Sequence, residues 1–356
     1  MSTEIRLHDF KITLPDETDL SSEWDRVVEI AGDRPDTVTL PALVDPAADH
    51  GDEALTERRQ DVEEKHRRVV DLLDAAGYDA LVLGRADSVA WFTAGGDLGQ
   101  ALYSEQSAVL LFITRHVRAV ITDNVHSARV FEEELAGLGF QLKERAWHDN
   151  PEQIVSELGH GKRVASDNGL FNWPNELERL RPLRLALTKL ERQRLRQLGR
   201  TLTQAVEATC RNFDPGETEA DVAGHLAHRL IREGVVPIDL RVASDDRLTR
   251  YRQPIFKAAP IHNRAIIAVT GRRHGLCASV TRIVSFGPVD PELRAAHQLA
   301  TMVDATYIFF SRPGETVVGV YRRARRIYEK FDHPHEWTLD YQGFLVGYSP
   351  REVMLC

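Results

Sequence analysis

Apolar residues along this chain fall into two rhythms. Steps of three and four recur over 55–76, where Val69, Val70, Leu72 and Leu73 share a side, and over 188–211, where Leu195, Leu198, Leu202, Val206 and Cys210 do. That spacing returns one face of a helix at each turn, so both stretches predict amphipathic helices. Gly77 closes the first as a C-cap. Asp214-Pro215-Gly216 breaks the second. Thr218 then fits an N-cap, with Asp221 three residues on as a weak capping box. Val222, Leu226 and Leu230 line the helix that follows, and Gly234 ends it. Two more helices are expected over 291–308 and 317–331.

The other rhythm is the short continuous apolar run bounded by turn residues. Segments 79–84, 108–114 and 117–122 read as buried strands, the last two joined by a tight Arg115-His116 turn. A short helix is expected over 88–93 and a longer one over 124–138. A strand begins at 163–165, and two more lie around 240 and 265–286. Strands alternating with helices indicate a layered α/β arrangement. The expected organisation is an acidic N-terminal extension over 1–55, an α/β domain over 56–186 and a second domain over 187–356. The extension has turn and breaker signals but no sustained period.

Composition narrows the classes. Hydrophobic residues make up 42% and charged residues 28%, ordinary values for a globular protein. The net charge of -9 gives no overall attraction to nucleic acid or anionic membrane, so neither is expected as a partner. Of 45 basic residues only 7 are Lys, and no basic block with interleaved aromatics appears. Three scattered cysteines suit neither a disulfide framework nor a thiolate metal site. No apolar run approaches the roughly 20 residues that span a bilayer. A cytoplasmic, reducing setting is the resulting expectation.

The run from Arg264 to Gly287, RAIIAVTGRRHGLCASVTRIVSFG, has a strand–turn–strand outline ending in Thr281-Arg282. It resembles the metal-binding hairpin of the pita-bread hydrolases: methionine aminopeptidase, aminopeptidase P, prolidase and the metal-free creatinase. The stretch Phe213-Asp214-Pro215-Gly216-Glu217-Thr218-Glu219 is similar to the Pro-Gly-x-Thr-Glu turn between the two helices that open the pita-bread domain. The resemblance implies an α/β (α+β) protein. A creatinase-like N-terminal domain would precede a curved, mostly antiparallel sheet with flanking helices. A closer resemblance is to a bacterial branch with a degenerate ligand set, carried here by Arg252-Gln253-Pro254, Arg272-Arg273-His274-Gly275-Leu276, Asp340-Tyr341-Gln342-Gly343-Phe344 and Gly347-Tyr348-Ser349-Pro350-Arg351-Glu352.

In the metalloenzymes each hairpin strand carries an Asp ligand; the matching positions here are Ala268 and Ser279. Gln253 replaces a substrate-loop His, and Asp340 and Tyr341 replace a tail pair. The family continues past the tail with two Glu-bearing strands, while this sequence stops at Cys356, so the expectation is either a truncated sequence or a sheet that lacks its last strands. A two-metal hydrolase needs converging carboxylates and a His, so no metal and no cofactor is expected. What the resemblance then implies is a metal-independent C–N bond hydrolase or lyase of the creatinase type. The alternative is an inactive homologue that binds a ligand or regulates.

Candidate catalytic groups are His274, Asp340, Tyr341 and Glu352, since a His near neutrality suits general-base work. Candidate substrate-binding residues are Arg247, Arg250, Arg252, Gln253, Arg282, Gln342, Tyr348 and Arg351. Guanidinium forks grip carboxylates bidentately, so an anionic amino-acid-like or amide ligand is expected. Arg282 follows Thr281 on a strand that reads as buried and would need an internal partner. Cys277 is either a small buried hydrophobe or a nucleophile served by His274. The run Asp332-His333-Pro334-His335-Glu336 is an exposed loop with weak metal-binding potential. A homodimer is the expected assembly, as in the creatinase-like branch.

Overall fold

A short antiparallel pair, β1 (Ile5–Leu7) with β2 (Phe10–Ile12), belongs to the unit formed by residues 1–53. The structure is a computed structural model and describes residues 5–7, 10–12, 51–102 and 104–354. Most of the expected N-terminal extension lies outside the described residues. Residues 54–356 form the second unit.

Helix α1 (Gly51–Ala76) ends at Gly77, whose φ of 70° is the left-handed conformation of a helix C′ residue. Strand β3 (Ala80–Arg85) follows, then helix α2 (Ala86–Phe92), β4 (Gln106–Thr114) and β5 (Arg118–Asp123). A π-helical turn (Arg129–Glu134) leads to β6 (Gln141–Arg145), α3 (Pro151–Gly159) and β7 (Val164–Ser166). These five strands form one mixed sheet in the order β6-β5-β4-β3-β7.

Alternation explains why β3 reads as a continuous apolar run. Leu81 and Leu83 face α1 with Val62, Val69 and Leu73, while Ala80 and Val82 face α3 with Val155. A strand covered on both faces needs no polar side. The helix expected over 124–138 is reduced to its π-helical turn. Asp123 takes the N–H groups of Val125 and His126 on its carboxylate, and Gly137 and Gly139 both adopt positive φ. Local side-chain bonds and left-handed glycines compete with the helix at its two ends.

Helix α4 (Leu177–Leu185) leads to α5 (Lys189–Arg211) and α6 (Glu219–Arg232). Full capping boxes start both of the latter: Thr188 with Glu191, and Thr218 with Asp221. Strand β8 (Val236–Ser244), helix α7 (Asp246–Arg250), β9 (Arg264–Arg273) and β10 (Leu276–Ser285) follow. The three strands form an antiparallel sheet in the order β10-β9-β8. Leu198, Leu202 and Val206 of α5, with Val222, Leu226 and Leu230 of α6, pack on Val242, Ala265, Ile267 and Val269. Each Leu or Ile among them contributes about 2–5 kcal/mol by the cost of truncating it to Ala.

Helices α8 (Pro291–Phe310) and α9 (Val317–Lys330) pack on each other through Leu299, Val303, Tyr307, Val320 and Ala324. The tail ends in a short pair, β11 (Phe344–Leu345) with β12 (Val353–Met354). Across the expected division at 186/187, Leu276 and Tyr348 share a core with Ala90, Trp91 and Leu73.

Candidate functional site

Period-two alternation sorts the second sheet into a helix-covered face and an open one. On β9, residues 265, 267, 269 and 271 are buried, and 266, 268 and 270 are not. The register aligns Arg241 with Ala268 and Ala268 with Thr281; one pleat along, it aligns Asp239 with Thr270 and Thr270 with Ser279. These six residues therefore share the open face. Asp239 and Arg241, two apart on β8, form a bidentate pair with both contacts at 2.8 Å. That pair raises the Arg241 pKa above its ordinary value, and the charges of Asp340 and Tyr341 add to the effect. Thr270 and Ser279 share a hydroxyl–hydroxyl hydrogen bond of 2.9 Å.

The family-type metal pair would need carboxylates at 268 and 279. Ala268 offers no donor, Ser279 offers a hydroxyl already bonded to Thr270, and the guanidinium of Arg241 stands beside them. A resident cation on that face repels a second one. Among the described residues, no group of three or more His, Cys, Asp and Glu side chains could hold a metal ion. The donor set does not fit a dinuclear centre.

Beside this face the tail folds into a cleft of about 290 Å³, lined among others by Arg252, Asp304, Tyr307, Glu336, Asp340 and Gln342. Asp340 accepts a 2.7 Å hydrogen bond from Gln253 Nε2 and a 2.8 Å bond from the Tyr341 N–H. Arg252 lies 3.8 Å from Glu336. Gln342 Nε2 donates to the carbonyls of Trp337 and Asp340. Tyr341 is exposed, and Arg351 lies over its ring at 5.7 Å and over Phe344 at 4.9 Å. The candidates Arg252, Gln253, Asp340, Tyr341, Gln342 and Arg351 thus meet in one region.

The remaining candidates are placed elsewhere. Glu352 is buried and pairs with Arg184, and its other oxygen takes the Ser349 N–H at 3.0 Å. It is engaged as a structural anchor, which corrects the expectation of an acid open to substrate. Tyr348 is buried as well, with its hydroxyl 3.3 Å from Lys65 Nζ. Burial first, then Glu191 and Asp61, push its pKa well above the ordinary phenol value. A Tyr so enclosed packs the core.

Arg282 points to the helix side and pairs with Glu207 of α5 at 3.0 Å. Its strand is half exposed, so the internal partner that a buried charge requires becomes a partly exposed one. Arg247 donates to Glu219 at 2.9 Å and to the Ile255 carbonyl at 2.8 Å. Glu219 also accepts from Ser244 and the Lys257 N–H, so Arg247 serves the local fold. Arg250 is exposed and has no partner among the described residues.

His274 and Gly275 form the two-residue tip of the β9–β10 hairpin, with φ of 52° and 74°. Positive φ at both positions is the signature of a type I′ turn. The tip packs on the Ala94-Gly95 turn, away from the cleft residues just described. Desolvation, then the guanidinium groups of Arg194, Arg273 and Arg58, push the His274 pKa down to about 3. Cys277 is fully buried, and its thiol is pushed up to about 12, chiefly by that burial. It is a small core hydrophobe and no nucleophile. The loop of His333 and His335 is exposed.

Asp239, Arg241, Asp304 and Tyr307 were not among the expected site residues. The signal for the first two was an acid–base pair two apart in a strand, which shares one face. For the others it was a three-residue step on one helix.

A layered α/β part followed by a helix-backed antiparallel sheet is the architecture of the peptidase-like pita-bread hydrolases. Residues 193–353 match the model of metallopeptidase family M24. The fold is shared with X-Pro aminopeptidase from Thermotoga maritima: 18% identity, TM-score 0.67, 81% of this chain and 83% of that one. Prolidase from Pyrococcus horikoshii matches at 14% identity and TM-score 0.68, over 81% and 83%. The N-terminal domain of FACT complex subunit SPT16 from chickpea matches at 13% identity and TM-score 0.61, over 83% and 82%. No curated protein matches the chain. Among the described residues, no helix is long and apolar enough to cross a membrane.

Proposed function

We propose that this chain is a ligand-binding pita-bread homologue that holds a small amino-acid-like or amide molecule without divalent metal. The observation that carries this reading is Arg241, set opposite Ala268 on the face where the family's metal ligands would stand. A guanidinium there suits a ligand carboxylate or carbonyl and disfavours a metal ion. The fold itself occurs in solved peptidases and in a FACT complex subunit, so it does not dictate turnover. The test is a thermal-shift screen of amino acids, dipeptides and amides with a chelator present, beside a peptidase assay with added Mn²⁺, Co²⁺ or Zn²⁺. A ligand-dependent rise in Tm under chelation, without cleavage, is expected. Metal-stimulated release of proline from Xaa-Pro dipeptides would overturn the reading.

A metal-independent C–N hydrolase or lyase is the second reading. It is favoured by Asp340, a carboxylate oriented by Gln253 and the Tyr341 N–H at the cleft. It predicts turnover that survives chelator and is lost in Asp340→Asn. The proposed assembly is a homodimer, to be tested by light scattering. The proposed setting is reducing and cytoplasmic, in keeping with free Cys210 and Cys277.

A further inference from the structure

We infer that the open face of the β8–β9–β10 sheet selects a free aliphatic α-amino acid, its carboxylate on the outer edge of Arg241, its ammonium on Asp239 and its side chain over Ile266 and Ile283. The inference rests on the ligand-binding reading above and names the class of molecule bound.

The Asp239–Arg241 pair supplies the charges. Asp239 takes the guanidinium side-on, one oxygen on Nε and the other on Nη2. A guanidinium has five N–H groups, and this contact uses two of them. The outer edge, formed by Nη1 and the second N–H of Nη2, has no partner among the described residues. That edge is a second fork of the kind that grips a carboxylate. Asp239 is 42% exposed, and each of its oxygens accepts one bond from Arg241 and keeps a further lone pair.

Charge balance decides which carboxylate fits. The pair is neutral as a whole. Asp340 also bears on Arg241, and Arg351 stands over the ring of the adjacent Tyr341, which adds one charge of each sign. A simple anion would bring its carboxylate beside Asp239 with nothing to offset the repulsion. A ligand with an ammonium next to its carboxylate answers both members at once. Asp239 and Arg241 meet at 2.8 Å, so the two ligand charges have to lie close together, as they do on one α-carbon. A dipeptide, with its termini a peptide unit further apart, matches the pair less well.

The apolar end of the face is the second and independent support. The register aligns Ile266 with Ile283, one pleat beyond the rung of Ala268 and Thr281. Both isoleucines therefore share the open face with Arg241. Ile283 is exposed, whereas Val280 and Val284 on the same strand pack toward the helices. Ala268 carries only a methyl and leaves room between the guanidinium and the isoleucines. Along the strands the face runs from acid to cation to hydrocarbon, in steps of two residues or about 7 Å. That order matches a molecule with a zwitterionic head and a branched aliphatic side chain.

The test is calorimetric titration of the full chain, with chelator present, using L-leucine, glycine, N-acetyl-L-leucine, L-leucinamide and leucyl-leucine. Leucine should bind at least about tenfold tighter than each of the other four. Asp239→Asn should weaken leucine about tenfold and leave N-acetyl-leucine equal or tighter, because it removes the acid that repels an anion. A merely structural role for Asp239 would weaken both ligands alike. Ile283→Ser should bring leucine within about threefold of glycine, with little change in the ligand-free Tm since the side chain is exposed. Any of the four analogues matching leucine, equal losses in Asp239→Asn, or a leucine-to-glycine ratio untouched by Ile283→Ser would overturn the inference. Binding of leucinamide or leucyl-leucine without leucine would sink this inference and spare the ligand-binding reading. No binding by any of the five would sink both.

Discussion

Two sets of charges within residues 54–356 are built in opposite ways. Arg184, at 3% exposure, bridges Asp87 at 3.1 Å and Glu352, and also donates to Ser88. Lys65, fully buried, meets Asp61, Glu191 at 2.7 Å and the Tyr348 hydroxyl. These networks join the α/β part to the tail, and their members answer one another inside. On the open sheet face the pattern reverses. Asp239 and Arg241 satisfy each other but remain partly exposed, and Asp340 and Asp304 keep their charge toward a cleft. Acid and base residues of equal standing in the sequence thus separate into a closed set that holds elements together and an open set available to a ligand.

The largest effect should come from the closed set. Arg184→Met leaves Glu352 buried without its cation and Asp87 with Arg85 alone, which should cost about 3–5 kcal/mol in urea unfolding. Asp87 is the informative partner. Burial opposes its ionisation, yet Arg184 and Arg85 hold its carboxyl below the ordinary value. Its stabilisation is present above that ordinary value and lost as the pH falls through its lower folded pKa, so the variant should also flatten the acid limb. A cost below about 1 kcal/mol, the range of surface pairs, would erase the distinction between the two sets.

Gly275→Ala attacks the same closed region from the hairpin tip. Its φ is +74°, and a Cβ there would lie 2.6 Å from the Ala90 Cβ and 2.9 Å from the Tyr348 ring. Left-handed strain and the clash together should cost about 2–3 kcal/mol. Unfolding that begins with exposure of Trp91, read by fluorescence, would tie the loss to this seam.

Much of the fold was legible in the sequence, and the reason is local. Helices α5 and α6 announce themselves by apolar steps and by Thr188 and Thr218 at their N-caps. The buried strands announce themselves by runs that alternate only in which helix they face. The site was less legible because its members meet through tertiary structure. Asp340 is 87 residues from Gln253, and Glu352 is 168 from Arg184. Nothing local marks Glu352 as anchored and Asp340 as open. Arg282 shows the same limit: one step of strand parity turns it to the helix side, toward Glu207.

His274 gives a smaller, pH-dependent effect. Its folded pKa is depressed to about 3, so the unfolded chain takes up the proton first. Its contribution is complete above the unfolded value near 6.5 and is lost as pH falls toward 3. His274→Asn keeps a residue that tolerates positive φ and removes the titration. Urea midpoints of the variant should therefore vary less between pH 7 and pH 4.5 than those of the parent. Equal slopes would show that the three arginines around the tip do not hold the ring neutral.

Arg241→Met should change stability least and say most about the open set. The pair it breaks lies on a partly exposed face, where removal costs about 0–1 kcal/mol. Asp239, 42% exposed, can return to water when its partner is gone. Ligand affinity under chelation should nevertheless fall at least about tenfold, because among the described residues the guanidinium is the only charged donor aligned with Ala268 on that face. A loss of stability as large as that of Arg184→Met, with affinity intact, would move Arg241 into the closed set. The charge facing Ala268 would then be one more strut, and the open face would have no claim to a ligand.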